Sequence, residues 1–347
     1  MRQEQGRRRR RITARTATTG LAMGLAATLA LAACGGGSGS GGGGAQSPAG
    51  AAGGAFPRTV THAMGTTEIP AAPKRIVALD STFVDAAFTL DTPIVGFTTT
   101  GAGSDTLPAY LGAQRQTLDA QAKAVGSLSE PNLEAIAALH PDLIVSAKVR
   151  HEQIYDQLAG IAPTVFSQTT GATWKDNLRL LAKAVGKEDL AERKITEYEH
   201  RATVVGDEIR RAVGHNPTVS VVRFVGGGPA RLYYRSSFVG IVLDDAGLAR
   251  PKSQDVSDPN KIAAEISEEK IADADADHIF VTTYADPSGA GAADADRFRA
   301  NPLWGQLHGK IHEVSDTTWM TAVGLQGAQV ILDDLAKAFG VDPARQK

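Results

Sequence analysis

The feature that most constrains this chain is an interruption in its middle. Short apolar runs alternate with helical patterns on both sides of residues 174–213, a stretch that holds no strand pattern at all. Within it, 174–185 and 188–213 read as two helices. The second carries Ile195, Tyr198, Ala202, Val205 and Ile209 at steps of three and four, with charges between them, and at 1.5 Å per residue it is about 40 Å long. Before the interruption, strand patterns at 75–79 (RIVAL), 94–98, 143–147 (LIVSA) and 164–166 alternate with helices at 83–90, 133–139 and 151–159. After it, strands at 219–225, 232–234, 279–283 and 311–314 alternate with helices at 237–246 and 320–339. Proline and glycine mark the joins. Such alternation is the pattern of α/β architecture, so the expected fold is two α/β lobes bridged by one long helix. The expected bounds are a first lobe at 57–187, a linker helix at 188–214 and a second lobe at 215–347.

The N-terminal region is of another kind. Seven arginines between Arg2 and Arg15 lead into an uncharged run of small and apolar residues, Gly20 to Ala33. That run is shorter than the ~20 residues a bilayer-spanning helix needs, and it fits the apolar region of a signal peptide, residues 1–33. The only cysteine, Cys34, follows at once and is itself followed by a Gly/Ser/Ala stretch to residue 56. A polyglycine neighbour excludes a packed core position for this thiol. Leu31-Ala32-Ala33-Cys34 resembles the lipobox of bacterial lipoproteins, which implies an acylated Cys34, stable attachment by two or more chains and a flexible tether from 34 to 56. Both general and twin-arginine export stay open.

Charge narrows the partners. Residues 1–33 hold seven arginines and one glutamate, leaving 29 of 36 basic and 37 of 38 acidic groups and a net charge of −8 with neutral histidines. A chain this acidic is a poor binder of nucleic-acid phosphates, which needs basic patches. Without a second cysteine, no intramolecular disulfide supports the fold, and stability must come from core burial.

PKRIVALDSTFVDAAFTL, EPNLEAIAALHPDLIVSAKVRHEQIYDQLAGIAPTVF, LYYRSSFVGIVLDDAGLARP, ISEEKIADADADHIFVTTY and NPLWGQLHGKIHEV together resemble solute-binding lipoproteins of iron–siderophore ABC transporters, in the ferric-siderophore and cobalamin binding superfamily. The resemblance runs from about residue 73 to 340. It implies the class III solute-binding fold, with a ligand cleft between two lobes bridged by a rigid helix. It also implies a monomer that needs no cofactor, takes a ferric siderophore as ligand and delivers it to an ABC permease dimer. Haem, cobalamin or a bare metal ion is the alternative ligand on the same fold.

Candidate site residues follow. Arg150 comes after the LIVSA strand, near the carboxyl end of a parallel strand, where α/β sheets present ligand sites; a solvated arginine at a helix start is the alternative. Arg235 holds the corresponding place after LYY. A guanidinium offers several fixed donors to a ligand rich in oxygen without competing for its iron, and the resemblance implies that role for both, most of all toward hydroxamate-type siderophores. Trp319 reads either as a core tryptophan or, by resemblance, as an aromatic of the cleft. Tyr234 is a further candidate unless strand alternation turns it into the core. Glu134 and Glu269 stand in first helical turns, where they complement the helix dipole; the resemblance implies that one glutamate per lobe docks with permease arginines, and Glu268 competes with Glu269 for that role. The eight histidines are scattered, with only His308 and His312 four apart, and no HExxH occurs. Neither GxSxG nor GxxxxGK[ST] is present, and Gly226-Gly227-Gly228-Pro229 lacks the spacing of a nucleotide fingerprint. The chain therefore reads as a binding protein rather than an enzyme.

Overall fold

The computed structural model describes residues 54–100, 105–117 and 121–345. The basic leader, Cys34 and most of the tether lie outside the described residues. A hairpin of β1 (Arg58–His62) and β2 (Gly65–Ile69) precedes the first sheet. That sheet holds β3 (Ile76–Ala78), β4 (Ile94–Thr99), β5 (Lys123–Ser127), β6 (Leu143–Ala147) and β7 (Thr164–Ser167), in the order β5-β4-β3-β6-β7. All its pairings are parallel. A parallel sheet covered on both faces needs unbroken apolar strands, and β3, β6 and β7 are buried at every residue.

The second sheet holds β8 (Val219–Phe224), β9 (Ala230–Tyr233), β10 (Ala263–Ile266), β11 (His278–Thr283) and β12 (Lys310–Glu313), in the order β10-β9-β8-β11-β12. The two orders correspond position by position. In each, the first strand is central, the next two step out to one side and the last two to the other. The sheets differ in one respect: β9 runs antiparallel to both β8 and β10, while β8, β11 and β12 are parallel. Winding reverses beside β3 and beside β8, so the carboxyl ends of β3 and β6, and of β8 and β11, flank topological switch points.

The strandless middle forms the helices Trp174–Val185 and Glu188–Val213. The longer one buries Ile195, Tyr198, Ala202, Val205 and Ile209 on one stripe, as its periodicity requires. Gly206 lies on the same stripe. A Cβ there would fall 1.7 Å from the Ala246 carbonyl oxygen, so only glycine lets this helix approach the second lobe so closely. Arg201, also buried, donates to the Pro343 and Gln329 carbonyls and pairs with Asp333 at 2.6 Å. The linker is thereby fastened to the C-terminal helix.

The expected helix at 320–339 is broken. A π-helical turn covers Thr317–Thr321, and the regular helix begins at Leu325 and runs to Phe339. The break is imposed from the other lobe. Asp85, in the helix Ser81–Thr89, is buried and accepts from the Gln326 and Gly327 backbone N–H groups at 2.9 and 3.0 Å. Its carboxyl occupies the space where a side chain on Gly324 would begin. An N-terminal helix cap thus reaches across from the first lobe. Burial pushes the Asp85 pKa up to about 7, although the Gln326, Gly327 and Thr89 hydrogen bonds oppose the rise.

One apolar core runs through both lobes: Phe83 and Phe88 from the first, Ile195 and Tyr198 from the linker, Val221 and Phe280 from the second, and Ile331 and Leu335 from the C-terminal helix. The Gly54 N–H donates to the Gly186 carbonyl, and Phe56 packs against the core. Among the described residues no helix is long and apolar enough to cross a membrane.

Candidate functional site

A cleft of about 930 Å³ lies between the lobes, lined from both sheets. On the first lobe it is built at the switch point. Two residues beyond β3 comes Asp80, whose Oδ1 accepts from the Thr82 N–H and caps the helix Ser81–Thr89. The β6 strand ends where the short helix Lys148–His151 starts, and Arg150 turns back so that its Nε donates to Asp80 Oδ2 at 3.1 Å. The Asp80 side chain is 2 % exposed and that of Arg150 is 41 % exposed. The carboxylate anchors the guanidinium from below, Nη2 donates to Thr170 Oγ1 at 3.4 Å, and the side chain lines the cleft. His151, beside it, is buried. Its two ring nitrogens bond Ser146 Oγ and the Leu128 carbonyl, each at 2.7 Å, which fixes the cleft-lining segment Ser127–Ser129 to the end of β6. Burial lowers the His151 pKa, so the ring is a neutral strut at pH 7.

On the second lobe the cations come from within strands. Arg223 on β8 stands directly opposite Arg231 on β9, and Arg231 stands directly opposite Glu265 on β10. Like charges in facing positions of an antiparallel pair are destabilising, so this row is costly unless counter-charges hold it. Asp316 grips Arg223 through two hydrogen bonds, 2.6 and 2.8 Å, and Glu265 lies 3.4 Å from Arg231. The Arg223 guanidinium also donates to the Tyr233 hydroxyl at 3.2 Å and lies over the Tyr284 ring, 5.3 Å from its centre. Burial alone would lower the Arg223 pKa, but Tyr233 and Asp316 outweigh it and the pKa is raised. Arg223 is thus a half-buried, permanently charged floor, while the Arg231 side chain keeps 39 % of its surface exposed. Val149 and Ile262, both exposed, add apolar lips from opposite lobes.

Of the expected ligand residues, Arg150 and Trp319 line the cleft. Trp319 has no exposed surface: its indole stacks on Phe280 at 4.6 Å, and its Nε1–H donates to Asp334 at 2.9 Å. It forms the floor on the core side. Arg235 stands apart from these two. It does not line the cleft but is held between Asp244 and Asp255. Because β9 runs antiparallel to β8, Arg235 does not follow a parallel strand as Arg150 does. Tyr234 likewise lines a separate groove beside the cleft, together with Lys261 and Glu265. Arg223, Arg231, Tyr233 and Tyr284 were missed. An arginine inside the otherwise apolar strand VSVVRF was the available signal.

Glu134 is exposed in the first turn of the helix Leu133–Ala138, which Asn132 caps. Glu269 is exposed in the first turn of the 3₁₀ segment Glu268–Ala274. Glu268 is already engaged, bonded to Arg297 at 2.5 Å and to Asn301. These two segments follow β5 and β10, which hold the same edge position in their respective sheets. Among the described residues no group of three or more His, Cys, Asp or Glu side chains is placed to hold a metal ion. His312 pairs with His278, and His308 with Asp275.

Residues 76–308 match the family described as "Periplasmic binding protein". The chain belongs to that family. It is 41 % identical over 295 residues, 81 % of this chain and 87 % of the other, to the "Probable siderophore-binding lipoprotein YfiY" of Bacillus subtilis. It is 28 % identical over 287 residues, 81 % and 85 % of the two chains, to the Fe(3+)-citrate-binding protein YfmC of the same organism. The crystal structure of Staphylococcus aureus SirA complexed with staphyloferrin B superposes with a TM-score of 0.74 at 30 % identity, covering 82 % of this chain and 99 % of that one. The class III layout, with two sheets and a long central helix, is the one expected.

Proposed function

We propose that this protein is an extracytoplasmic receptor that captures an iron(III)–siderophore of net negative charge and hands it to an ABC importer. The observation that carries the proposal is the facing pair Arg223 and Arg231 with Arg150 across the cleft. Three guanidiniums line one space, each steadied by a carboxylate of its own, Asp316, Glu265 or Asp80, and the donors left over suit an oxygen-rich anion. The siderophore supplies the oxygen donors to iron, and the protein supplies cations, Tyr233 and Tyr284, backed by the buried Trp319. The siderophore-binding and Fe(3+)-citrate-binding relatives agree with this ligand class. The hydroxamate reading now rests on the KVRHEQIYDQL stretch and Arg150, since Arg235 is engaged elsewhere.

Delivery rests on Glu134 and Glu269 as docking groups for a permease, and retention at the membrane rests on acylation of Cys34; the lipoprotein named among the relatives favours the latter. Tryptophan-fluorescence titration with ferric siderophores, haem, cobalamin and zinc tests the central claim. Saturable quenching by a ferric siderophore and not by the others is expected. Binding of haem, cobalamin or bare metal in preference to every ferric siderophore overturns it.

A further inference from the structure

A second chamber, about 670 Å³, opens off the cleft through Ser81, Thr99 and Thr100. One wall comes from the first lobe, with Thr98, Tyr110 and Arg115, and the other from the segment before the C-terminal helix, with Ser315 and Thr317. Its chemistry differs from that of the cleft, being rich in hydroxyls. One of these is out of place: Thr98 is 5 % exposed, and its Oγ1 is buried without a hydrogen-bond partner among the described residues. A buried hydroxyl with nothing to bond costs about 1–3 kcal/mol, so an orphan at a chamber wall marks a place where a partner arrives.

Among the described lining residues Arg115 is the only charged one. It donates to the Leu107 carbonyl at 3.3 Å, which uses one of its five N–H groups. Tyr110 stays a neutral phenol, because burial and then the nearby Asp85 and Asp80 push its pKa up. The chamber therefore holds one cation and a set of hydroxyls, a match for a single carboxylate.

We propose that this chamber receives a carboxylate-ended pendant arm of the bound siderophore, with Arg115 as counter-ion and the Thr98 hydroxyl as donor. The inference rests on the siderophore reading above and adds a preference for the arm that lies outside the iron-binding groups. A cationic arm is rejected by Arg115, and a neutral arm leaves it unmatched.

Ferrioxamine B provides the probe, since its pendant amine can be left free, acetylated or succinylated around one unchanged iron centre. Fluorescence titration of the wild-type protein is expected to rank succinylated above acetylated above free amine, with the first about ten-fold tighter than the second, the size of one charged hydrogen bond. Arg115→Gln should collapse that ratio toward one, whereas Arg150→Gln should weaken all three complexes alike and keep the ratio. Thr98→Val, close to isosteric, should lower the ratio and carries the test if Arg115→Gln loses its native circular dichroism. Equal affinity of the wild-type protein for the succinylated and acetylated complexes overturns the chamber and leaves the siderophore reading standing. An unchanged ratio in folded Arg115→Gln or in Thr98→Val also overturns it. Binding of none of the three overturns the hydroxamate reading and the chamber with it.

Discussion

Asp80 shows how few residues assemble one side of the site. A single buried carboxylate caps the first helix with one oxygen and aims Arg150 with the other, so local fold and ligand chemistry share one group. Arg150→Ala and Arg231→Ala are each expected to weaken ferric-siderophore binding about ten- to a hundred-fold, the cost of a lost charge-assisted hydrogen bond, with unchanged far-ultraviolet circular dichroism. Titration of the two purified variants checks this, and wild-type affinity in both removes the guanidiniums from the site. Asp85 gives a different prediction at the same scale. Its folded pKa, about 7, lies above the ordinary carboxyl value. Its contribution is therefore fully present below about pH 4 and is lost as the pH rises through 7. Asp85→Asn carries no charge at any pH. Whatever its fixed cost to the cap, the difference in melting temperature between variant and wild type should move in the variant's favour from pH 5 to pH 8. A constant difference across that range would show a carboxyl ionised throughout.

At the scale of elements, the two edge-strand segments carry the delivery half of the proposal. Glu134 and Glu269 make no ion pair among the described residues, and each stands at the start of a helical segment at matching positions of the two sheets. Exposed pairs are individually worth ~0–1 kcal/mol, so the double variant Glu134→Ala/Glu269→Ala is the informative one. It should bind ferric siderophore as the wild type does and fail to restore iron–siderophore uptake in cells lacking the receptor. Normal uptake would end the docking role, and lost affinity would move these residues into the pocket. The elements also show what the sequence made legible. The linker helix was readable from its period of three and four, and β3, β4, β6, β8 and β11 from their runs of buried, mostly apolar residues. The hairpin β1–β2, the strands β5 (KAVGS) and β10 (AAEI) and the helix Ala290–Ala300 were not, because short, small or polar residues leave no period to detect. The site was half visible. Arg150 follows a parallel strand and obeys the switch-point rule. Arg223 and Arg231 project from within strands, and their value depends on a register between β8 and β9 that no single strand reveals. Arg235 follows an antiparallel strand, and strand direction, unlike strand existence, is not written in local composition.

One apolar core spans both lobes, beside a separate cluster within each. The core continues from Phe83 through Tyr198 to Phe280 and Leu335, and Asp85 of one lobe caps the helix that closes the other. Closure by a wide hinge would have to tear that core, so small-angle scattering of the described domain should give the same radius of gyration with and without saturating ferric siderophore. A clear compaction on binding would show that the interlobe contacts yield. The tether belongs to this scale too. Cys34→Ser is expected to release the protein from the membrane fraction or to leave it as an unprocessed precursor; a processed, lipid-labelled Cys34→Ser product would refute the anchor.

The cap that Asp85 places on the C-terminal helix has a consequence for traffic at the membrane. A receptor whose lobes are latched shows the permease almost the same outline whether empty or full. If Glu134 and Glu269 dock with a permease as proposed, they would stand equally far apart in both forms, and the transporter could not turn away an unloaded visitor by shape. Empty and loaded receptors would queue for the same dock, and the rate of iron entry would be set by the fraction of the queue that carries cargo.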